Sequence, residues 1–135
     1  MRKFLTGVLM VFLLATLLAC AAGVASARVT YYTSKPVLSN APKKDRPFKA
    51  SGYIKPKSTS SNRAKVKIIL WMKYSDGWGV MDTYWTKLSA RNSRSTKYSV
   101  TITIPMKGDH GVQAVQYRNG KKVSKSATRY FYVTP

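Results

Sequence analysis

The stretch Lys65-Val66-Lys67-Ile68-Ile69-Leu70-Trp71-Met72-Lys73 carries Val66, Ile68, Leu70 and Met72 at every second position. Tyr98-Ser99-Val100-Thr101-Ile102-Thr103-Ile104 alternates in the same way until Pro105 stops it. Successive side chains of a strand point to opposite faces, so this period predicts strands buried on one side only. Working outward, Phe48 to Lys55 reads as a strand closed by Pro56 and the polar residues 57–63, and residues 78–88 hold one longer or two short strands. Residues 111–117 and 126–133 are expected to form a hairpin across Arg118-Asn119-Gly120-Lys121, because Asn-Gly accepts the positive φ of a primed turn. A first edge strand is expected near Ser34 to Leu38, where Pro36 suits an edge.

About seven strands in roughly a hundred residues, with turn signals between them, predict an all-β, antiparallel sandwich. No segment after residue 27 holds a helical period, which a bundle or a parallel α/β sheet requires. The expected inward set is Phe48, Val66, Ile68, Leu70, Met72, Tyr98, Val100, Ile102, Ile104, Val112, Ala114, Phe131 and Val133.

Ahead of this domain, Met1-Arg2-Lys3 precedes an apolar run from Phe4 to Leu18 and a small-residue segment ending Ala25-Ser26-Ala27. That is the layout of a secretory signal peptide, cut after Ala27. The run is short for a membrane span, which takes about 20 apolar residues. Leu17-Leu18-Ala19-Cys20 also resembles a bacterial lipobox, which would place a lipid anchor on Cys20. The expected organisation is therefore residues 1–27 as signal peptide, 28–46 as an extended basic linker with the first edge strand, and 47–135 as the sandwich. The expected location is secreted or bound to the cell envelope, with no transmembrane span in the processed chain.

Composition excludes much chemistry. The chain has one His, one Cys and no Glu, so a protein-built metal site is not expected. A hydrolytic triad needs a base and an orienting acid. Here the one imidazole, His110, lies in Lys107-Gly108-Asp109-His110-Gly111, which reads as a solvated turn. Asp45, Asp76, Asp82 and Asp109 offer no convincing carboxylate pair, three of them lying at turn-like or linker positions. No catalytic residue, metal or cofactor is assigned, and the chain reads as a non-enzyme.

Phe48-Lys49-Ala50-Ser51-Gly52-Tyr53-Ile54-Lys55-Pro56-Lys57 resembles the opening of small immunoglobulin-like or fibronectin-III-like repeats of bacterial secreted and cell-surface proteins. The resemblance continues through Asp76-Gly77-Trp78, Lys97-Tyr98-Ser99-Val100 and Gly111-Val112-Gln113-Ala114, and ends at Tyr130-Phe131-Tyr132-Val133. It implies an Ig-like sandwich in a secreted or cell-wall protein of a Gram-positive type, in modules that act as spacers or adhesion units. This chain is far more basic than that pattern.

The charge is the stronger functional signal. With 24 Lys and Arg against four acidic residues, the formal net charge is +20, a field that concentrates anionic polymers. Strand parity then gathers Lys65, Lys67, Ile69, Trp71 and Lys73 with Val115, Tyr117, Tyr130 and Tyr132 on one outer face. Contiguous exposed apolar surface of that kind marks a contact site. The expected partner is an anionic cell-wall polymer or glycan, with an envelope protein or a second copy as the alternative. Nucleic-acid binding is expected only as the non-specific consequence of charge.

Overall fold

The computed structural model describes residues 28–135; the expected signal peptide and Cys20 lie outside the described residues. The strands are β1 (Tyr32–Thr33), β2 (Val37–Leu38), β3 (Phe48–Lys55), β4 (Ala64–Tyr74), β5 (Gly77–Trp85), β6 (Lys87–Ala90), β7 (Thr96–Ile102), β8 (Gly108–Arg118), β9 (Lys121–Lys125) and β10 (Arg129–Val133). They form two sheets whose strand pairs are all antiparallel. The first runs β1-β3-β7-β6 with β2 also on β3, and the second runs β10-β8-β4-β5 with β9 also on β8. Residues Tyr31–Pro135 make one compact unit, and the segment expected as a linker with the first edge strand supplies β1 and β2 to the first sheet.

Between β4 and β8 the register runs unbroken from Ala64↔Arg118 to Met72↔His110. It sets Ile68 beside Ala114 and Leu70 beside Val112, all fully buried. From the first sheet Phe48, Ala50, Ile54, Tyr98 and Ile102 meet them in one cluster, which Ile104 and Val133 complete. The expected core is thus formed, except that Met72, Val100 and Phe131 are half-buried.

The structure refines the strand expectations in three places. Of the two arrangements expected for residues 78–88 the chain takes two strands, which lie in different sheets. The crossing is at Thr86, whose N–H and hydroxyl both donate to the Val66 carbonyl, at 3.0 and 2.9 Å. The second difference is the hairpin. Asn119 and Gly120 take φ values of 50° and 84°, as the turn requires, but the strand across it is β9, while β10 pairs with the first half of β8. Third, the first edge strand is split into β1 and β2.

One device explains both splits. Ser126 donates its N–H to the Ala114 carbonyl (2.8 Å), and its Oγ accepts the Ala114 N–H (2.9 Å). A serine side chain replaces the ladder acceptor, so the chain can leave the sheet after β9 and return as β10 with the Ala114 N–H and carbonyl both paired. Ser34 does the same against Tyr53, donating to its carbonyl (3.0 Å) and accepting its N–H on Oγ (2.8 Å). The buried Tyr98 hydroxyl donates to the Ser34 carbonyl at 2.7 Å. A Cβ on Gly52 would overlap both that hydroxyl and Ser34 Oγ, so only glycine permits the contact. Burial raises the Tyr98 phenol well above its ordinary pKa.

Arg118 is buried at the end of β8 without a carboxylate among its bonds. It donates to Gln116 Oε1 (2.7 Å), to the Asn62 carbonyl (2.7 Å) and to the Pro56 carbonyl. A buried charge must be hydrogen-bonded, and here loop carbonyls do it, fixing the connection between β3 and β4. Desolvation lowers the Arg118 pKa, while the nearby Tyr31 phenol acts in the opposite sense.

Ile102 is 1% exposed, whereas Thr101 next to it is exposed on the outer face. Ile102→Ala should cost about 2–5 kcal/mol in chemical denaturation, and Thr101→Ala within about 0.5 kcal/mol of nothing. Similar losses from both would contradict the alternation on which the faces rest.

Candidate functional site: the outer face of the second sheet

Lys65, Lys67, Ile69, Trp71 and Lys73 occupy alternate positions of β4 and face away from the core. Register carries that face across the sheet: Lys65 lies beside Tyr117, Lys67 beside Val115, Ile69 beside Gln113 and Trp71 beside Gly111. Gly111 in turn pairs with Tyr130, and Asp109 with Tyr132. On the other side Lys67 lies beside Trp85 and Lys73 beside Trp78.

Trp78 and Trp85 are an odd number of residues apart, so simple alternation assigns them to opposite faces. The register of β5 shifts where Leu70↔Asp82 gives way to Trp71↔Val80, leaving Met81 as an extra residue. A β-bulge of this type reverses the parity beyond it. It puts Trp78, Val80, Thr83 and Trp85 on the same outer face, and with Trp71 this brings all three tryptophans of the chain together. The residues expected on the outer face did not include Trp78 and Trp85, and plain alternation along β5 carries no sign of the bulge.

The aromatics form two groups. At one end Trp85 and Tyr117 have ring centroids 5.5 Å apart, tilted by 59°. The Lys67 ammonium sits over both, 5.2 Å from the Trp85 ring and 5.5 Å from the Tyr117 ring, and Lys65 is 5.5 Å from Trp85. Beside them Ser60, Arg63, Lys65, Tyr117, Asn119 and Gly120 line a shallow cleft of about 320 Å³. Cations held over ring faces are attracted by the aromatic quadrupole, so Lys67 is a fixed surface charge rather than a freely swinging one.

At the other end Trp71, Trp78, Gln113, Thr128 and Tyr130 line a second cleft of about 210 Å³. Trp78 and Tyr130 meet edge to face, centroids 5.2 Å apart at 62°. Trp71 Nε1 is enclosed without a hydrogen-bond acceptor among the described residues. Gln113 donates to the Ser126 carbonyl at 2.9 Å, so the serine that splits the edge strand also steadies the cleft floor. Trp71 lies four residue steps along β4 from Lys67, about 13 Å of strand at its usual rise per residue.

Of the expected contact residues, Lys65, Lys73, Tyr130 and Tyr132 are exposed and Lys67, Ile69, Trp71 and Tyr117 half-buried. Val115 is corrected: it faces outward but is only 3% exposed, between its register neighbours Lys67 and Lys125, and offers no contact surface. Tyr132 stands apart from both aromatic groups and lines a cleft with Val37, Pro42 and Arg129.

The turn reading of His110 is also corrected. β8 begins at Gly108, so His110 is an inward strand residue, fully buried and stacked on Phe131 with centroids 6.0 Å apart. Its Nδ1 is 2.9 Å from the Gly108 carbonyl, and its Nε2 has no partner among the described residues. Asp109, next along the strand, faces the other way and is exposed, as are Asp45, Asp76 and Asp82. Among the described residues no three His, Cys, Asp or Glu side chains are grouped to hold a metal ion, and no helix is long and apolar enough to cross a membrane.

No protein-family model matches this chain, and no curated protein matches it. Among solved structures it is similar to "Pseudomonas fluorescens alkylpurine DNA glycosylase AlkC bound to DNA containing an abasic site analog", with 12% identity and a TM-score of 0.48. The match covers 78% of this chain and 30% of that one. A likeness so slight carries no functional argument.

The seat of Tyr130 depends on Gly111, where a Cβ would come within 2.8 Å of Thr128 Cγ2 and 3.1 Å of the Tyr130 ring. Gly111→Ala should therefore move the Tyr130 ring against Trp78 and change the near-ultraviolet circular dichroism, while the far-ultraviolet spectrum stays that of the folded sheet. An unchanged near-ultraviolet spectrum would show that Gly111 does not set the cleft.

Proposed function

We propose that this chain is an exported, non-enzymatic, cationic Ig-like module that holds anionic polymer at the bacterial cell envelope through the outer face of its second sheet. The observation that carries the reading is the gathering of Trp71, Trp78 and Trp85 with Tyr117, Tyr130 and three lysines of β4 on one face. Soluble domains rarely expose large aromatics in a contiguous group without a contact for them. The outer face of the first sheet is poorer in aromatics: β3 and β7 present Lys49, Ser51, Lys97, Ser99 and Thr101 there, with a single Tyr32–Tyr53 pair, ring centroids 5.7 Å apart, under Arg91 and no tryptophan.

Charge and aromatics have separable roles. Net charge draws a polyanion from a distance and fades with salt. Aromatic contact is short-ranged and decides where the polymer stays. Export follows from the signal-peptide layout of residues 1–27, and the processed protein should begin at Arg28 by mass spectrometry. An acylated Cys20 would instead make it a membrane-tethered lipoprotein.

Retention on isolated envelope material tests the face. Trp71→Ala should lower retention at least tenfold at about 0.15 M salt, where diffuse attraction is screened beyond about 8 Å. Lys65→Gln with Lys67→Gln should weaken it strongly, while Lys55→Gln with Lys97→Gln, an equal charge change on the opposite sheet, should produce only a small loss. Equal losses from the two lysine pairs, with Trp71→Ala harmless, would mean a cationic surface with no localised site. Retention that persists unchanged in high salt would indicate an apolar protein contact instead.

A further inference from the structure

We propose, resting on the polymer reading above, that the polymer is an acidic polysaccharide. A sugar ring seats in the cleft of Trp71, Trp78 and Tyr130, and an acid group further along the same chain meets Lys65 and Lys67. The two ends of the face differ in chemistry, and the ligand must satisfy both. The Lys65–Lys67 end is cationic, with Arg63 in the adjoining cleft. The Trp71 end is aromatic with a polar edge, where Gln113 and Thr128 line the cleft beside the indoles.

A sugar ring matches that second end. Its C–H face packs on the electron-rich face of an indole or phenol ring, while hydroxyls around its rim meet amide and hydroxyl groups. The groups lining the cleft that can meet those hydroxyls are the Gln113 amide and the Thr128 hydroxyl. The separation of the two ends, about 13 Å along β4, is roughly the reach of two to three pyranose units.

Other polyanions meet only part of this. A polyphosphate chain answers the lysines but leaves the aromatic cleft unused. A single-stranded nucleic acid stacks its bases flat on open ring faces. Here the ammonium of Lys67 lies over Trp85 and Tyr117, so successive bases would find only the one aromatic group at the Trp71 end. Lys67 held by two rings is a fixed cation, which recognises an acid group with less ordering of its own side chain than a free lysine requires.

Titrations of the full-length protein followed by tryptophan fluorescence and calorimetry test the proposal. The probes are polygalacturonate, the same polymer with its carboxylates reduced to alcohols, inorganic polyphosphate and oligo-dT, all at about 0.15 M salt. Polygalacturonate should bind with a fluorescence change, and the reduced polymer, polyphosphate and oligo-dT should each bind at least tenfold more weakly. Trp71→Ala should remove at least tenfold from the polygalacturonate affinity. Trp78→Ala and Tyr130→Ala, both at exposed positions that the core does not need, should each reduce it several-fold with the fold intact.

Equal binding of polyphosphate and polygalacturonate, both indifferent to Trp71→Ala, would overturn the polysaccharide assignment and leave the anionic-polymer reading standing. Tighter, Trp71-dependent binding of oligo-dT would overturn it in favour of nucleic acid. Failure to bind polygalacturonate also overturns it; if retention on envelope material is lost at the same time, the polymer reading falls with it.

Discussion

β4 and β8 pair without a break from Ala64↔Arg118 to Met72↔His110, and nearly every other feature is positioned by that register. One side of the pair carries Val66, Ile68, Leu70, Val112 and Ala114 into the core. Its other side carries Lys65, Lys67, Trp71, Gln113 and Tyr117 outward. Because the side-chain period is two, a slip of one residue would exchange these sets. Burial of the inner set therefore enforces the outer one. The site is a consequence of the core, not an addition to it.

The sheet edges are handled by serines. Ser34 and Ser126 each use their own N–H and Oγ in place of a ladder partner, and each allows an edge strand to break and resume. The two broken edges meet at Gln116, whose Nε2 lies 3.0 Å from the Tyr32 carbonyl, 3.1 Å from Thr33 Oγ1 and 3.3 Å from Ser124 Oγ and shares its two N–H groups among them. Gln116 also accepts from Arg118, so the polar cluster runs from the two edges to the loop of residues 56–63. Such a network stabilises only when each member is satisfied. It also ties the loop that carries Ser60 and Arg63 to the rim of the cationic cleft.

The alternation of residues 65–73 and 98–104 was enough to read a two-sided strand architecture, most of the core, and the outward set on β4. Three things were not legible. The bulge at Met81 has no signature in composition, yet it decides that Trp78 and Trp85 join Trp71. Ser126 looks like any polar residue, so a reading based on turn signals ran residues 126–133 directly into the hairpin. His110 and Arg118 were invisible as core residues because polar side chains are ordinarily outside. Their burial depends on a strand starting at Gly108 and on carbonyls contributed by a loop more than fifty residues earlier.

Amide chemical-shift mapping tests the central claim, that binding is localised on the outer face of the second sheet. Isotope-labelled protein would be titrated with soluble envelope polysaccharide at about 0.15 M salt, where long-range attraction is screened. The account predicts that shifts and line broadening concentrate on β4, β5, the middle of β8 and Tyr130, together with the indole N–H signals of Trp71, Trp78 and Trp85. Tyr53, Lys55 and Lys97 on the opposite sheet should remain unmoved. Perturbations spread evenly over both sheets, or centred on β3 and β7, would contradict it.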